Sequence, residues 1–256
     1  FSKPGMQGFE QPVDHRVQRW TRAGFRDNPL WPARSLADPR SGCSASKNGR
    51  DFGSGVPYGY AMKLFYNPRS RATIAKWMLD ECGAAYEIIP VDLKQREHKA
   101  PEFLEVNPSG KLPALVDGNS RIFESAAICL YLGDKLPEAN LAPRLDSPER
   151  GRYLSLMVYS TSQLEPAMSD ALMGVESLPQ RGWTDFETAQ DVIEGELGDG
   201  AYLFGEWFTA ADVMIGSMFV WQQLWSGRPS ERLKISAYVD RLLRRPAAIK
   251  VGGATP

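Results

Sequence analysis

The stretch LPALVDGNSRIFESAAICLYLGDK at residues 112–135 decides the fold. Leu112 to Val116 and Arg121 to Phe123 are short strand-like runs, and Asp117, Gly118 and Asn119 between them are turn formers, so the pattern predicts a hairpin. From Glu124 to Lys135 the period changes, with Ala127, Ile128, Leu130 and Tyr131 at helical spacing. A hairpin that feeds directly into a helix needs further strands beside it to bury its apolar face.

Those strands lie upstream. Lys63 to Tyr66 reads as a short strand. Arg71 to Cys82 carries Ile74, Trp77, Met78 and Cys82 at the spacing of a half-buried helix, which Gly83 closes. Tyr86 to Val91 is a second strand; Pro90 can donate no ladder hydrogen bond there, which favours a strand edge or end. Residues 99–106 form a weaker helical turn ending before Asn107 and Pro108. The order βαβ, helix, ββα combines a right-handed parallel crossover with a terminal antiparallel hairpin, giving a small mixed sheet covered by helices.

Downstream the reading is all-helical. Leu154, Met157, Val158 and Leu164 recur at helical spacing between Glu149 and Met173, and Pro166 should bend or end that element. A polar helix is expected over 185–197, followed by a glycine-marked connection. At Thr209 a helix begins: Thr209 can cap, Asp212 can reach back as the acidic partner, and Phe208 with Val213 can staple the entry. From Ala210 to about Trp225 the sequence is apolar nearly all round, which implies a buried helix. Tyr238 to Arg244 is the last amphipathic helix, stopped before Pro246.

Composition bounds the function. The 256 residues are 43% hydrophobic and 24% charged, ordinary values for a globular protein. Thirty basic against 31 acidic residues give a net charge of -1, so no global field attracts nucleic acid or an anionic membrane, and neither is expected as a partner. No apolar run reaches the ~20 residues of a transmembrane helix. Cys43, Cys82 and Cys129 are too few and scattered for a disulfide framework, which points to a reducing, cytoplasmic setting. With only His15 and His98 present, a zinc site built on several imidazoles is excluded, and no metal is expected. Residues 1–61 hold 8 of the 23 glycines and 6 of the 19 prolines but no isoleucine and two leucines. Such a segment cannot easily build a core, so it reads as a non-globular leader or extension.

The stretches NPRSRATIAKWMLDE at 67–81, VNPSGKLPALVDG at 106–118 and ESAAICLYL at 124–132 resemble the glutathione S-transferase family, in its serine-type, theta- or phi-like form. Most specific are the Leu112-Pro113 step and the Glu124-Ser125 pair at this separation. The resemblance runs from Met62 to about Ile249. It implies an α/β thioredoxin-like N-terminal domain, placed at 62–140, and an all-α C-terminal helical domain, placed at 147–250. It also implies a detoxifying homodimeric enzyme whose cosubstrates are glutathione and a small electrophile.

Site roles follow by the same resemblance. A cis proline at Pro113 would turn the Leu112 backbone toward the cysteinyl part of glutathione, like an added strand. Ser125, at a helix N-terminus, suits the γ-glutamyl carboxylate, and Glu124 suits its ammonium. His98, Lys99 and Lys111 would hold the glycyl carboxylate. The thiol, of pKa ~8.5, attacks only as thiolate and needs an activator. Pro68-x-Ser70 matches the phi-like pattern and makes Ser70 the first candidate. Alignment on the theta-like pattern puts the role on Asn67. The beta-like class would require cysteine where this chain has Arg71. The tyrosine-type phenol would fall on Phe65, and strand alternation should aim Tyr66 away. Arg69 and Arg71 would add positive potential. Tyr153, Met157 and Tyr159 are candidates for the electrophile pocket. Two alternatives stay open at this stage: a non-catalytic transferase-like scaffold, and a glutathione-dependent etherase or dehalogenase of the same superfamily.

Overall fold

The computed structural model describes residues 62–176, 180–226 and 230–248. The leader reading for 1–61, with His15 and Cys43, lies outside the described residues. The first half runs β1 (Met62–Tyr66), α1 (Ala72–Glu81), β2 (Tyr86–Pro90), a 3-10 turn at Glu97–Lys99, α2 (Pro101–Leu104), β3 (Ala114–Asp117), β4 (Ser120–Phe123) and α3 (Ser125–Lys135). The sheet order is β2-β1-β3-β4, with β1 parallel to β2 and antiparallel to β3, and β3 antiparallel to β4. This is the thioredoxin-like arrangement that the βαβ and ββα segments lead to.

The second half is helical: α4 (Arg150–Tyr159), a π-helical turn (Ser160–Leu164), α5 (Glu165–Leu172), α6 (Phe186–Leu197), α7 (Ala210–Ser226) and α8 (Leu233–Leu243). Pro166 was expected to bend or end the rod. The element does not end there: helical structure continues past it, and a wide π turn closes at Leu164, two residues before the proline. A π turn shifts the hydrogen-bond ladder by one residue, which helps absorb the missing N–H. The last helix begins at Leu233, five residues before the expected Tyr238, because Ile235 joins Tyr238, Val239 and Leu242 on its buried face.

One apolar core runs through both halves: Trp77 and Met78 of α1, Ile128 and Leu132 of α3, Met157 of α4 and Met214 of α7 all belong to it. Met157 faces this core, but Leu154 and Val158, one turn apart, are 39% and 57% exposed. The apolar count along this helix therefore mixed an inward stripe with an outward one. Residues 211–219 of α7 are all buried. A Cβ at Gly216 would stand 2.1 Å from Leu242 Cδ1, so glycine is what lets α8 pack closely there.

The α7 entry is built as its sequence suggests. Asp212 accepts from the Thr209 N–H at 2.8 Å and the Thr209 hydroxyl at 3.1 Å. Its other oxygen accepts from the Leu203 N–H at 2.9 Å and the Tyr238 hydroxyl at 3.0 Å. Four donors on one buried carboxylate tie α7 to α8 and to the preceding loop. The two halves are also joined by Arg245, which donates to both Glu81 carboxylate oxygens at 2.8 and 2.7 Å while its guanidinium lies 3.5 Å from the centre of the Phe208 ring.

Candidate functional site

Strand register gathers the predicted residues. Ala114 of β3 pairs with Phe65 on one side and Phe123 on the other. The chain beyond Phe65 leads to Asn67 and Ser70; the chain before Ala114 is Leu112-Pro113; the chain after Phe123 is Glu124-Ser125. All three segments leave the sheet at the same end. On the far side of β1, Tyr66 pairs with Pro90, and the Val91 N–H donates to the Tyr66 carbonyl at 2.9 Å.

Asn67 and Ser70 shape the turn between β1 and α1. The Asn67 amide donates to the Val91 carbonyl at 2.8 Å, and its oxygen accepts from the Arg69 N–H at 2.9 Å. The Ser70 hydroxyl donates to the Asn67 carbonyl at 2.7 Å and accepts from the Ala72 N–H at 3.2 Å. Ser70 thus serves one of the otherwise unpaired donors of the first α1 turn. The neighbouring aromatic residues sort by strand alternation. Phe65 meets Phe103 of α2 edge-on at 5.4 Å between centroids. Tyr66 packs on the apolar core, where burial and then the Asp80 charge raise its phenol pKa.

The Leu112-Pro113 peptide bond is cis. The Leu112 backbone N–H and C=O have no hydrogen-bond partner among the described residues, so both remain available to a ligand. Buried Asn107 supports the turn in front of them. Its amide donates to the Lys111 carbonyl at 2.7 Å, and its oxygen accepts from the Ser109 N–H and hydroxyl at 3.1 and 2.5 Å. The sequence pattern marks Asn107 only as the residue at which a helical turn ends. An Asn two residues before a serine is an Asx-turn signature that could have revealed this role.

His98 and Lys99 abut the same turn. A Cβ at Gly110 would come within 2.6 Å of Lys99 Nζ and 2.8 Å of the His98 carbonyl oxygen, and Gly110 sits at φ +59, so both space and backbone call for glycine. Lys99 Nζ donates to the Ser109 carbonyl at 3.1 Å. His98 Nδ1 is buried without a partner among the described residues. Lys111 is exposed and has no described ion-pair partner.

Glu124 and Ser125 begin α3. Glu124 has φ +72 and ψ 129, a conformation unusual for a residue with a side chain, and its carboxylate has no described partner. Such a backbone costs about 1–3 kcal/mol and persists only where the surrounding structure holds it. The Ser125 side chain is nearly buried, yet its hydroxyl bonds to no described group. Its backbone N–H is among the orphan donors of the first helical turn.

Two cysteines stay outside this chemistry. Burial, then the Glu81 charge, pushes the Cys82 thiol up to about 12, and burial also raises fully enclosed Cys129. The candidates for the electrophile pocket divide. Tyr153 and Met157 are fully enclosed in the core and are not pocket walls. Tyr159 does line a shallow depression of about 410 Å³, with Leu154, Ser155, Val158 and Ser162. Sequence reasoning also missed the partners of Arg71, which pairs with Glu165 and lies 4.0 Å from the centre of the Trp221 ring. These are 94 and 150 residues away, beyond any local signal.

A four-stranded thioredoxin-like sheet with a cis-proline turn, followed by a helical second half, defines a two-part α/β plus all-α class of fold. Residues 60–134 match the family described as Glutathione S-transferase, N-terminal domain. Glutathione S-transferase F6 of Arabidopsis thaliana is 30% identical, with 74% of this chain and 98% of the relative covered. Glutathione S-transferase F13 of the same plant is 29% identical over 208 residues, 75% of this chain and 94% of the relative. Among solved structures, the theta class glutathione S-transferase from the citrus canker pathogen Xanthomonas axonopodis pv. citri, with glutathione bound, superposes with a TM-score of 0.64 at 26% identity. That match covers 77% of this chain and 99% of the other. The chain belongs to the glutathione S-transferase family.

Proposed function

We propose that the protein is a glutathione transferase that holds glutathione at this end of the sheet and presents its sulfur as thiolate to an electrophile. The observation that carries the reading is the convergence of unpaired groups around the register point Ala114. These are the Leu112 backbone, the Ser125 hydroxyl, the Glu124 carboxylate and the exposed Lys111 ammonium. Their chemistry complements glutathione end to end. The Leu112 N–H and C=O pair with the cysteinyl backbone, held in place by the Pro113 bond. Ser125 and the α3 N-terminus take the γ-glutamyl carboxylate, and Glu124 takes the ammonium. Lys111, His98 and Lys99 take the glycyl carboxylate.

Ser70 is the thiolate donor on this reading. Its hydroxyl hydrogen, given to the Asn67 carbonyl in the structure, turns to the sulfur when glutathione binds. Lowering the thiol pKa from ~8.5 by about two units raises the thiolate fraction at neutral pH by tens of times, a difference of ~2.7 kcal/mol. Asn67 is the second candidate, since one of its amide hydrogens remains after the bond to Val91.

We take 62–140 as the glutathione-binding domain and 147–250 as the helical domain, with 1–61 outside both. By family likeness the protein acts as a homodimer in cytoplasmic detoxification. Calorimetric titration with glutathione, its S-methyl derivative and free cysteinylglycine tests the reading. Glutathione and the S-methyl form should bind, whereas loss of the γ-glutamyl group should weaken binding at least about tenfold. Equal binding of all three would exclude Glu124 and Ser125 as its receptors.

A further inference from the structure

The Arg71 guanidinium sits immediately after Ser70 at the junction of the two halves. Its Nε and Nη2 both lie 2.5 Å from one oxygen, Glu165 Oε1, the first residue of α5. Its carbon stands 4.0 Å from the centre of the Trp221 ring on α7. One side edge of the fork and one face are therefore committed. Nη1 and the outer hydrogen of Nη2 have no described partner, nor has Glu165 Oε2. The Arg71 and Glu165 side chains are 28% and 27% exposed.

A guanidinium fork has two edges suited to paired oxygens, a side edge at Nε and Nη2 and an end edge at Nη1 and Nη2. Glu165 takes the side edge, and stacking on Trp221 holds the plane. That leaves the end edge without a described partner, on a side chain 28% exposed and one residue from the proposed thiolate donor. Because Glu165 compensates most of the charge, Arg71 is a weak source of field for the sulfur. Its remaining capacity is directional hydrogen bonding.

Resting on the transferase reading above, we propose that Arg71 determines cosubstrate specificity, its free Nη1–Nη2 edge receiving a carboxylate carried by the electrophile. The step it serves is ordinary displacement. The glutathione sulfur forms the C–S bond at a benzylic carbon, the C–Cl bond breaks, and chloride leaves with the electron pair. Arg71 orients the electrophile and takes no part in the electron flow.

The test compares 4-(chloromethyl)benzoate with 4-methylbenzyl chloride, each rate divided by its uncatalysed rate with glutathione. The wild-type protein should prefer the carboxylate compound by about tenfold or more in kcat/KM. Arg71→Met should bring that ratio to about one, chiefly through KM for the carboxylate compound. Glu165→Gln, which leaves Arg71 in place but removes the competing charge, should raise the ratio. A mere loss of fit between the halves would lower turnover of both compounds and leave the ratio alone, so an unmoved ratio in both variants overturns the proposal. Turnover of both compounds by the wild-type protein with no preference also overturns it while leaving the transferase reading intact. Failure of the wild-type protein to bind glutathione or turn over either compound would overturn both.

Discussion

The Asn67 side-chain amide donates to the Val91 carbonyl at 2.8 Å, fastening the turn that carries Ser70 to the chain leaving β2. Two residues 24 apart in sequence thus fix the position of a hydroxyl that neither touches through its side chain. This separates two roles that sequence reasoning left side by side. Asn67→Ala removes the tie and should lower the melting temperature, glutathione affinity and turnover together. Ser70→Ala should lower turnover by at least about tenfold with glutathione affinity changed less than about threefold. Paired kcat and calorimetric measurements on both variants check this; the reverse pattern would move the thiolate donor to Asn67.

Ser125 offers the γ-glutamyl carboxylate a hydroxyl that nothing else in the described structure uses. Its alanine variant should bind glutathione more weakly by about 1.5–3 kcal/mol, the scale of a hydrogen bond to a charged group. The unliganded melting temperature should hardly move, because no internal bond is lost. Calorimetry and thermal denaturation together give both numbers.

Glu124 at φ +72 combines backbone strain with an unpaired carboxylate. Glycine adopts such a backbone with little strain. Glu124→Gly should therefore raise the stability of the free protein by about 1 kcal/mol while weakening glutathione binding. A variant that loses stability would show that the side chain, and not the ligand, justifies the conformation.

Asp117 closes β3 against α3 by accepting from the Tyr131 hydroxyl at 2.7 Å and from Lys135. Burial alone would raise its carboxyl, but the hydrogen bonds from Lys135 and Tyr131 outweigh it and hold the pKa below its ordinary 3.8. A depressed folded-state pKa adds stability above the ordinary value that disappears as pH falls through the folded value. The melting temperature of Asp117→Asn should thus lie below wild type at about pH 6, with the gap closing as the medium is acidified below about pH 4. A gap that widens in acid would reverse the sign of this account.

Local pattern made much of the fold legible. The Asp117-Gly118-Asn119 turn, the helical spacing after Glu124 and the Thr209–Asp212 entry each depend on residues a few positions apart, and each forms as read. The alternation that set Phe65 against Tyr66 is also local. The reading faltered where a decision needs the partner element. Leu154 and Val158 look as apolar as Met157, and only the packed helices show which stripe faces inward. Tyr153 is aromatic and near the expected pocket, yet the core encloses it completely. Arg71 could be seen beside Ser70, but Glu165 and Trp221 reach it only through the folded arrangement of α5 and α7. Asn107 is visible in the sequence, but its three side-chain bonds, which give the turn before Leu112 its shape, show only in the folded chain.

On the proposed function, this end of the sheet stabilises a thiolate. Ultraviolet absorbance of protein-bound glutathione against pH tests it most directly, because the thiolate absorbs where the thiol does not. The bound-thiol pKa should lie well below the free value of ~8.5 and return toward it in Ser70→Ala. Bound glutathione that titrates at the free value would contradict the account and leave Ser70 as the residue that starts a helix.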